Sequence, residues 1–119
     1  AHGFVPVDLE QIDRPIDGKA ALTKIKILRA SKEASYLAVT ILTGRMHQIR
    51  KHLASIRHPV VGDREYMTGP VLATHLRGVP RQMLHAFKVE FENPLSGKTV
   101  SAEAPLPADF TQCLQRLFT

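Results

Sequence analysis

The chain has 119 residues, 44% of them hydrophobic, which is enough for one modest core and too little for two. A formal net charge of +5 points to a polyanionic partner. A lone cysteine, Cys113, excludes an internal disulfide. No apolar run could cross a bilayer, and residues 1–20 lack the basic-then-apolar order of a secretory signal, so the expected setting is cytoplasmic, with no membrane partner. One folded unit over 1–119 is expected, with 1–20 as an extended surface connection and 21–119 as the core. Because the chain opens at Ala1 in strand-like or loop-like sequence, it reads as a piece of something longer.

Pro6, Pro15 and Gly18 keep residues 4–19 extended. Ile25 and Ile27 alternate with Lys24 and Lys26, the period of a strand wet on one face. Tyr36 to Leu42 is apolar at nearly every position and rich in β-branched residues, which predicts a central strand covered on both faces. Gly44 closes it. From Met46 a helix is expected as far as His58, because Pro59 disfavours helical geometry before it. At about 100° per residue, Met46, Ile49, Leu53 and Ile56 share one arc, while His47, Gln48, Lys51 and Ser55 lie opposite.

Residues 67–80 carry Gly69, Pro70, Gly78 and Pro80, with at most a short helix over Val71 to Leu76. Next, His85, Phe87, Val89 and Phe91 alternate with Lys88, Glu90 and Glu92. The turn residues Asn93 to Gly97 then lead into Val100, Ala102 and Ala104, which predicts a hairpin with an inward apolar face. Phe110, Cys113, Leu114, Leu117 and Phe118 predict a closing amphipathic helix with Asp109 in its first turn.

Thr43 to His58 holds Arg45, Arg50, Lys51 and Arg57 and no carboxylate. Such a block can collect phosphates, and it can equally be a solvated face whose partners are carboxylates elsewhere, such as Asp63 or Glu65. On the wheel, Arg50 and Arg57 lie at the edge of the apolar arc, where Arg50 can pair structurally and help hold the helix on the sheet. Lys51 points away and is the phosphate candidate, with His47 and Gln48 beside it. Arg45, just after the glycine, can be aimed into a cleft, where an arginine holds a neighbouring carboxylate as an anion.

No metal is expected: His47 and His52 are five apart rather than three or four, and Cys113 has no partner cysteine. His85, on an apolar strand face, reads as a hydrogen-bonded core histidine. There is no Gly-rich phosphate loop, no Gly-x-Ser-x-Gly elbow, and with 6% aromatic residues little material for a base-stacking platform.

Thr43-Gly44-Arg45-Met46-His47-Gln48-Ile49-Arg50, then His52-Leu53-Ala54, then His58-Pro59-Val60-Val61-Gly62-Asp63 with Tyr66, resembles the signature of the RluA-type RNA pseudouridine synthases. Leu84-His85-Ala86, the Asn93-Pro94 turn with Ser96-Gly97, and Glu103-Ala104-Pro105-Leu106-Pro107 resemble that family's C-terminal half in the same order. The likeness spans most of residues 20–118.

It implies an α+β catalytic fold on a mixed, largely antiparallel sheet, with a central basic helix and a C-terminal helix. It implies isomerisation of uridine to pseudouridine in ribosomal or transfer RNA, with no cofactor. The family flips the uridine out of its stack, and an aspartate mediates glycosidic cleavage before the base reattaches through carbon 5. By position Arg45 is the arginine that pairs with that aspartate; Leu84 falls in the base pocket, and Arg50, Asp63 and His85 are structural.

Two departures stand out. The family's aspartate lies upstream in a His-Arg-Leu-Asp element that this sequence lacks, and Asp8, Asp13, Asp17, Asp63 and Asp109 sit in other contexts. Met46 replaces a residue that is commonly Thr, Ser or Lys. The chain is therefore expected not to catalyse alone, and to leave a sheet edge through which two copies could pair without physiological meaning. A non-catalytic RNA-binding module and an interaction domain with incidental charge are the competing readings.

Overall fold

A computed structural model describes residues 1–67 and 78–118. The alternating isoleucines build β2 (Thr23–Ala30), flanked by the short β1 (Gln11–Ile12) and by β3 (Ser35–Ile41) in one antiparallel sheet of order β1-β2-β3. Ile25 faces Val39 and Ile27 faces Leu37, and a register shift follows between Ile27 and Arg29. Helix α1 (Gln48–Ser55) lies on this sheet, with Leu53 buried among Ile12, Ile25 and Val60, and Ile49, Ile56 and Leu84 around them. Strands β4 (Lys88–Glu92) and β5 (Thr99–Glu103) form a separate hairpin, and α2 (Ala108–Phe118) closes the chain. Cys113 and Leu117 of α2 pack on Val61 and Val79, and the Arg81 guanidinium grips Asp109 at 2.6 and 2.9 Å, fixing the start of α2. The class is α+β, as the residue pattern and the resemblance implied.

Four expectations need correcting. Residues 1–20 are mostly exposed and irregular, yet they also feed the core: Val5, Ile12 and Ile16 are buried, and Ser35 Oγ accepts from the Val5 amide while donating to the Gly3 carbonyl. Their apolar residues are spaced by prolines and carboxylates too irregularly for a periodicity argument to find them. Strand β3 stands at the end of its sheet, with Ile41 and Leu42 about half exposed. Its composition encodes two covered faces, and the described residues cover only one.

The helix starts at Gln48, and Met46 is 71% exposed rather than on the apolar arc, because His47 takes a left-handed conformation (φ 52°) that ends the helix in that direction. The hairpin forms with Val89 opposite Ala102 and Phe91 opposite Val100, but Phe87, Val89 and Phe91 are exposed instead of inward. The short helix expected over Val71 to Leu76 lies outside the described residues.

Gly62 joins the two cores. Its φ of +83° lets the chain turn where the Met83 amide donates to the Val61 carbonyl at 2.7 Å, and a Cβ there would overlap the Arg81 carbonyl oxygen. Gly62→Ala meets both a backbone clash and an unfavourable φ. It is expected to cost about 3 kcal/mol or more, read as a lower urea midpoint at unchanged m.

Candidate RNA-facing site at the start of α1

Gln48 is 3% exposed, and its amide is fully occupied. Oε1 accepts from the Thr43 hydroxyl at 2.7 Å and the Arg45 amide at 3.0 Å, and Nε2 donates to the Leu22 carbonyl at 2.9 Å and to Thr23 Oγ1 at 3.0 Å. That is the whole capacity of a carboxamide. The expectation that Gln48 touches RNA is therefore corrected: its side chain is an internal tie between β2, the Thr43 turn and α1.

The chain of bonds runs on. His52 is 1% exposed, with Nε2 at 2.7 Å from the Arg14 carbonyl and Nδ1 at 2.7 Å from Thr23 Oγ1. A carbonyl only accepts, so Nε2 carries the proton and Nδ1 accepts from the Thr23 hydroxyl. At the other end the Leu22 amide donates to Thr43 Oγ1 at 3.0 Å. Every group then donates in one direction, from Leu22 through Thr43 to Gln48 Oε1, and from Gln48 Nε2 through Thr23 and His52 to Arg14. Beyond it, the Arg14 guanidinium donates to the Ser55 carbonyl at 2.6 Å, at the C-terminal end of α1.

This scaffold presents Arg45. The side chain is partly buried and Nε donates to the Ala20 carbonyl at 2.9 Å, which leaves the two terminal nitrogens without a carboxylate among the described residues. The neighbouring cations differ. Arg50 makes a bidentate pair with Asp63 at 2.8 and 3.0 Å and reaches Glu65 at 3.2 Å. The Asp63 side chain is fully buried and that of Arg50 is 12% exposed. The Arg50 hydrogen bonds hold the Asp63 carboxyl below its usual range, and amide bonds from Tyr66 and Glu65 act in the same sense; the Arg50 guanidinium is correspondingly pushed up, chiefly by its bond to Asp63.

Lys51 does not point freely away. It meets Asp17 at 3.2 Å, on an Asp17-Gly18 turn whose residues both have positive φ. His47 sits exposed at the start of α1 with Nδ1 2.9 Å from the Tyr66 hydroxyl. Leu84 packs on the Leu53 core and lines an apolar cavity of about 60 Å³ with Val39, Ile49 and Phe110. His85 is half-buried just before β4, with Nε2 donating to the Ala104 carbonyl at 2.9 Å, so the core histidine of this fold is His52. Thr23, Thr43, His52 and Tyr66 were missed as site residues. The signal available for Thr43, His52 and Tyr66 was only their presence in the matching motif, and for Thr23 there was none.

Residues 11–55, which run from β1 to the end of α1, match the family described as RNA pseudouridylate synthase. The ribosomal large subunit pseudouridine synthase D of Haemophilus ducreyi is 38% identical over 110 residues, covering 86% of this chain and 34% of that protein. The protein of the same name from Neisseria meningitidis serogroup A is 39% identical, over 98% of this chain and 37% of its own length. An uncharacterised RNA pseudouridine synthase of Mycobacterium bovis is 43% identical over 85% of this chain.

The chain belongs to the RNA pseudouridine synthase family. It spans about a third of the length of these curated relatives. A solved structure of human RNA pseudouridylate synthase domain containing 4 superposes with a TM-score of 0.73 over 98% of this chain and 59% of the human one; at 22% identity this is a likeness of fold.

Two outcomes follow from the polar chemistry. Asp63→Asn leaves the Arg50 charge short of its main partner and is expected to cost about 3 kcal/mol at pH 7. Because the Asp63 pKa is lower folded than unfolded, its contribution is complete above the ordinary carboxylate range and drains away as pH falls through the folded value. Urea titrations at pH 7 and pH 3 should therefore show a smaller acid loss in the variant. Separately, ring nitrogen shifts of His52 should report one neutral tautomer, protonated at Nε2.

Proposed function

We propose that this chain supplies the arginine side of the catalytic centre of an RNA pseudouridine synthase that acts on ribosomal RNA. The observation that carries the reading is the Arg45 guanidinium, anchored through Nε and open at both terminal nitrogens among the described residues. Asp17, Asp63 and Asp109 are engaged by Lys51, Arg50 and Arg81, and no carboxylate among the described residues meets Arg45. An open, pre-aimed guanidinium is suited to hold a reacting aspartate as an anion beside a flipped uridine. The aspartate then comes from outside the 119 residues. The names of the Haemophilus and Neisseria relatives support ribosomal RNA as the substrate class.

An ionised aspartate takes part in breaking the N1–C1′ bond, whose electron pair stays on N1; the detached uracil turns, carbon 5 bonds to C1′ and loses its proton, and N1 takes one up, so the isomerisation is proton-neutral. Arg45 keeps its own charge throughout, so it acts by electrostatics and position alone.

The test has two arms on a uridine-containing ribosomal RNA stem-loop. Binding of the chain should weaken steeply between 50 and 200 mM salt, about tenfold or more, as phosphate contacts require. Tritium release from 5-tritiated uridine should stay at background for the chain alone. Affinity indifferent to salt would refute RNA backbone contact, and turnover by the isolated chain would refute the external aspartate.

A further inference from the structure

His47 and His52, five residues apart, are used in opposite ways. His52 has both ring nitrogens bonded inside the protein. His47 has Nδ1 bonded to the Tyr66 hydroxyl at 2.9 Å, while Nε2 has no partner among the described residues and the side chain is exposed. With the Tyr66 hydroxyl donating to Nδ1, the ring carries its own proton on Nε2. The result is a single N–H donor of fixed direction at the surface.

Tyr66 is itself held firmly. Its amide donates to the buried Asp63 carboxylate at 3.1 Å, and its ring lies under the Arg50 guanidinium, 4.8 Å from the ring centroid. The His47 ring stands edge-on to it at 5.8 Å and 72°. His47 also carries φ 52° and ψ 34°, a conformation that a residue with a Cβ adopts at a cost of about 1 kcal/mol and keeps where its surroundings impose it.

Two residues back along the chain is Arg45, whose terminal nitrogens meet no carboxylate among the described residues. The first turn of α1 contains no acidic residue. Both groups donate and neither accepts. A phosphate offers acceptors alone at every step of the chain, whereas only some base edges do, such as N7 and O6 of guanine, so these donors match the RNA backbone best.

We propose that Tyr66 is a positioning residue for RNA binding: through its hydroxyl it holds the His47 imidazole so that Nε2–H meets a phosphate oxygen of the RNA backbone. This rests on the RNA reading above. Tyr66 itself does not touch the RNA, and its hydroxyl matters only while His47 is present.

The experiment is a double-mutant cycle in the full chain, with Tyr66→Phe, His47→Asn and the pair, read by fluorescence anisotropy on the same stem-loop RNA. Asparagine tolerates the positive φ at position 47. Tyr66→Phe is expected to weaken binding about three- to tenfold. The double variant should bind no worse than His47→Asn alone. Ring nitrogen shifts of His47 should show one tautomer, protonated at Nε2, in the parent and a mixture in Tyr66→Phe. The melting temperature of Tyr66→Phe should hold, since the ring, the Arg50 stack and the Asp63 bond all remain.

A methylphosphonate scan of the RNA should find one position that erases the difference between parent and His47→Asn; a uridine substitution that did so instead would overturn the phosphate assignment. Multiplying effects of the two variants would show that Tyr66 acts independently and would overturn the proposal, as would unchanged affinity or an unchanged tautomer in Tyr66→Phe. If the parent chain binds no RNA, the RNA reading itself fails, whereas a failed cycle on a binding parent removes only this proposal.

Discussion

A single buried carboxamide holds this arrangement together. Gln48 sits at the first turn of α1, yet its side chain turns inward and joins partners from three places: Leu22 and Thr23 on the approach to β2, Thr43 in the turn after β3, and the backbone of Arg45. Only a group with two donors and two acceptor sites can meet all four. A glutamate would lose both donors, and a leucine would leave the Arg45 amide and the Thr43 hydroxyl proton without an acceptor, each costing about 1 to 3 kcal/mol. The shape of the chain from Thr43 to Gln48 is therefore written by one side chain, and it decides where Arg45 and His47 come out.

Two polar systems lie on either side of α1 and have different effects. The Gln48, Thr23 and His52 series is neutral and directional, so it fixes geometry without adding charge to the site. Arg50, Asp63 and Glu65 are charged, and their mutual neutralisation removes Arg50 from the positive field that RNA would meet. Lys51 is drawn toward Asp17 in the same way. What remains open at the start of the helix is Arg45, with the His47 donor held by Tyr66. A block of sequence that looks uniformly basic is thus sorted by distant carboxylates into Arg50 and Lys51, which brace the fold, and Arg45 and Arg57, which meet no carboxylate among the described residues.

The elements were legible where a period was present. The Ile25 and Ile27 alternation, the hairpin about Asn93 to Gly97 and the Phe110 to Phe118 spacing all became the expected strands and helix. Gln48 was not legible, because a helical wheel equates polarity with exposure and cannot see acceptors 25 and 26 residues earlier in the chain. The Lys51 and Asp17 pair spans 34 residues and was hidden for the same reason. Met46 falls off the apolar arc because the helix begins two residues later, after the left-handed His47. Strand β3 and the Phe87, Val89 and Phe91 face show the reverse case. Their composition states that a cover is required, and nothing in a local pattern says which part of a protein provides it.

Native-state hydrogen exchange at the Arg45 amide tests the central claim most directly. That amide lies outside every helix and strand and has one acceptor, Gln48 Oε1 at 3.0 Å. If the buried carboxamide governs the turn, the Arg45 amide should exchange as slowly as the core amides of α1, opening only when the helix leaves the sheet. Exchange at the rate of an exposed loop would contradict it, and with it the claim that Arg45 is aimed before its partner arrives.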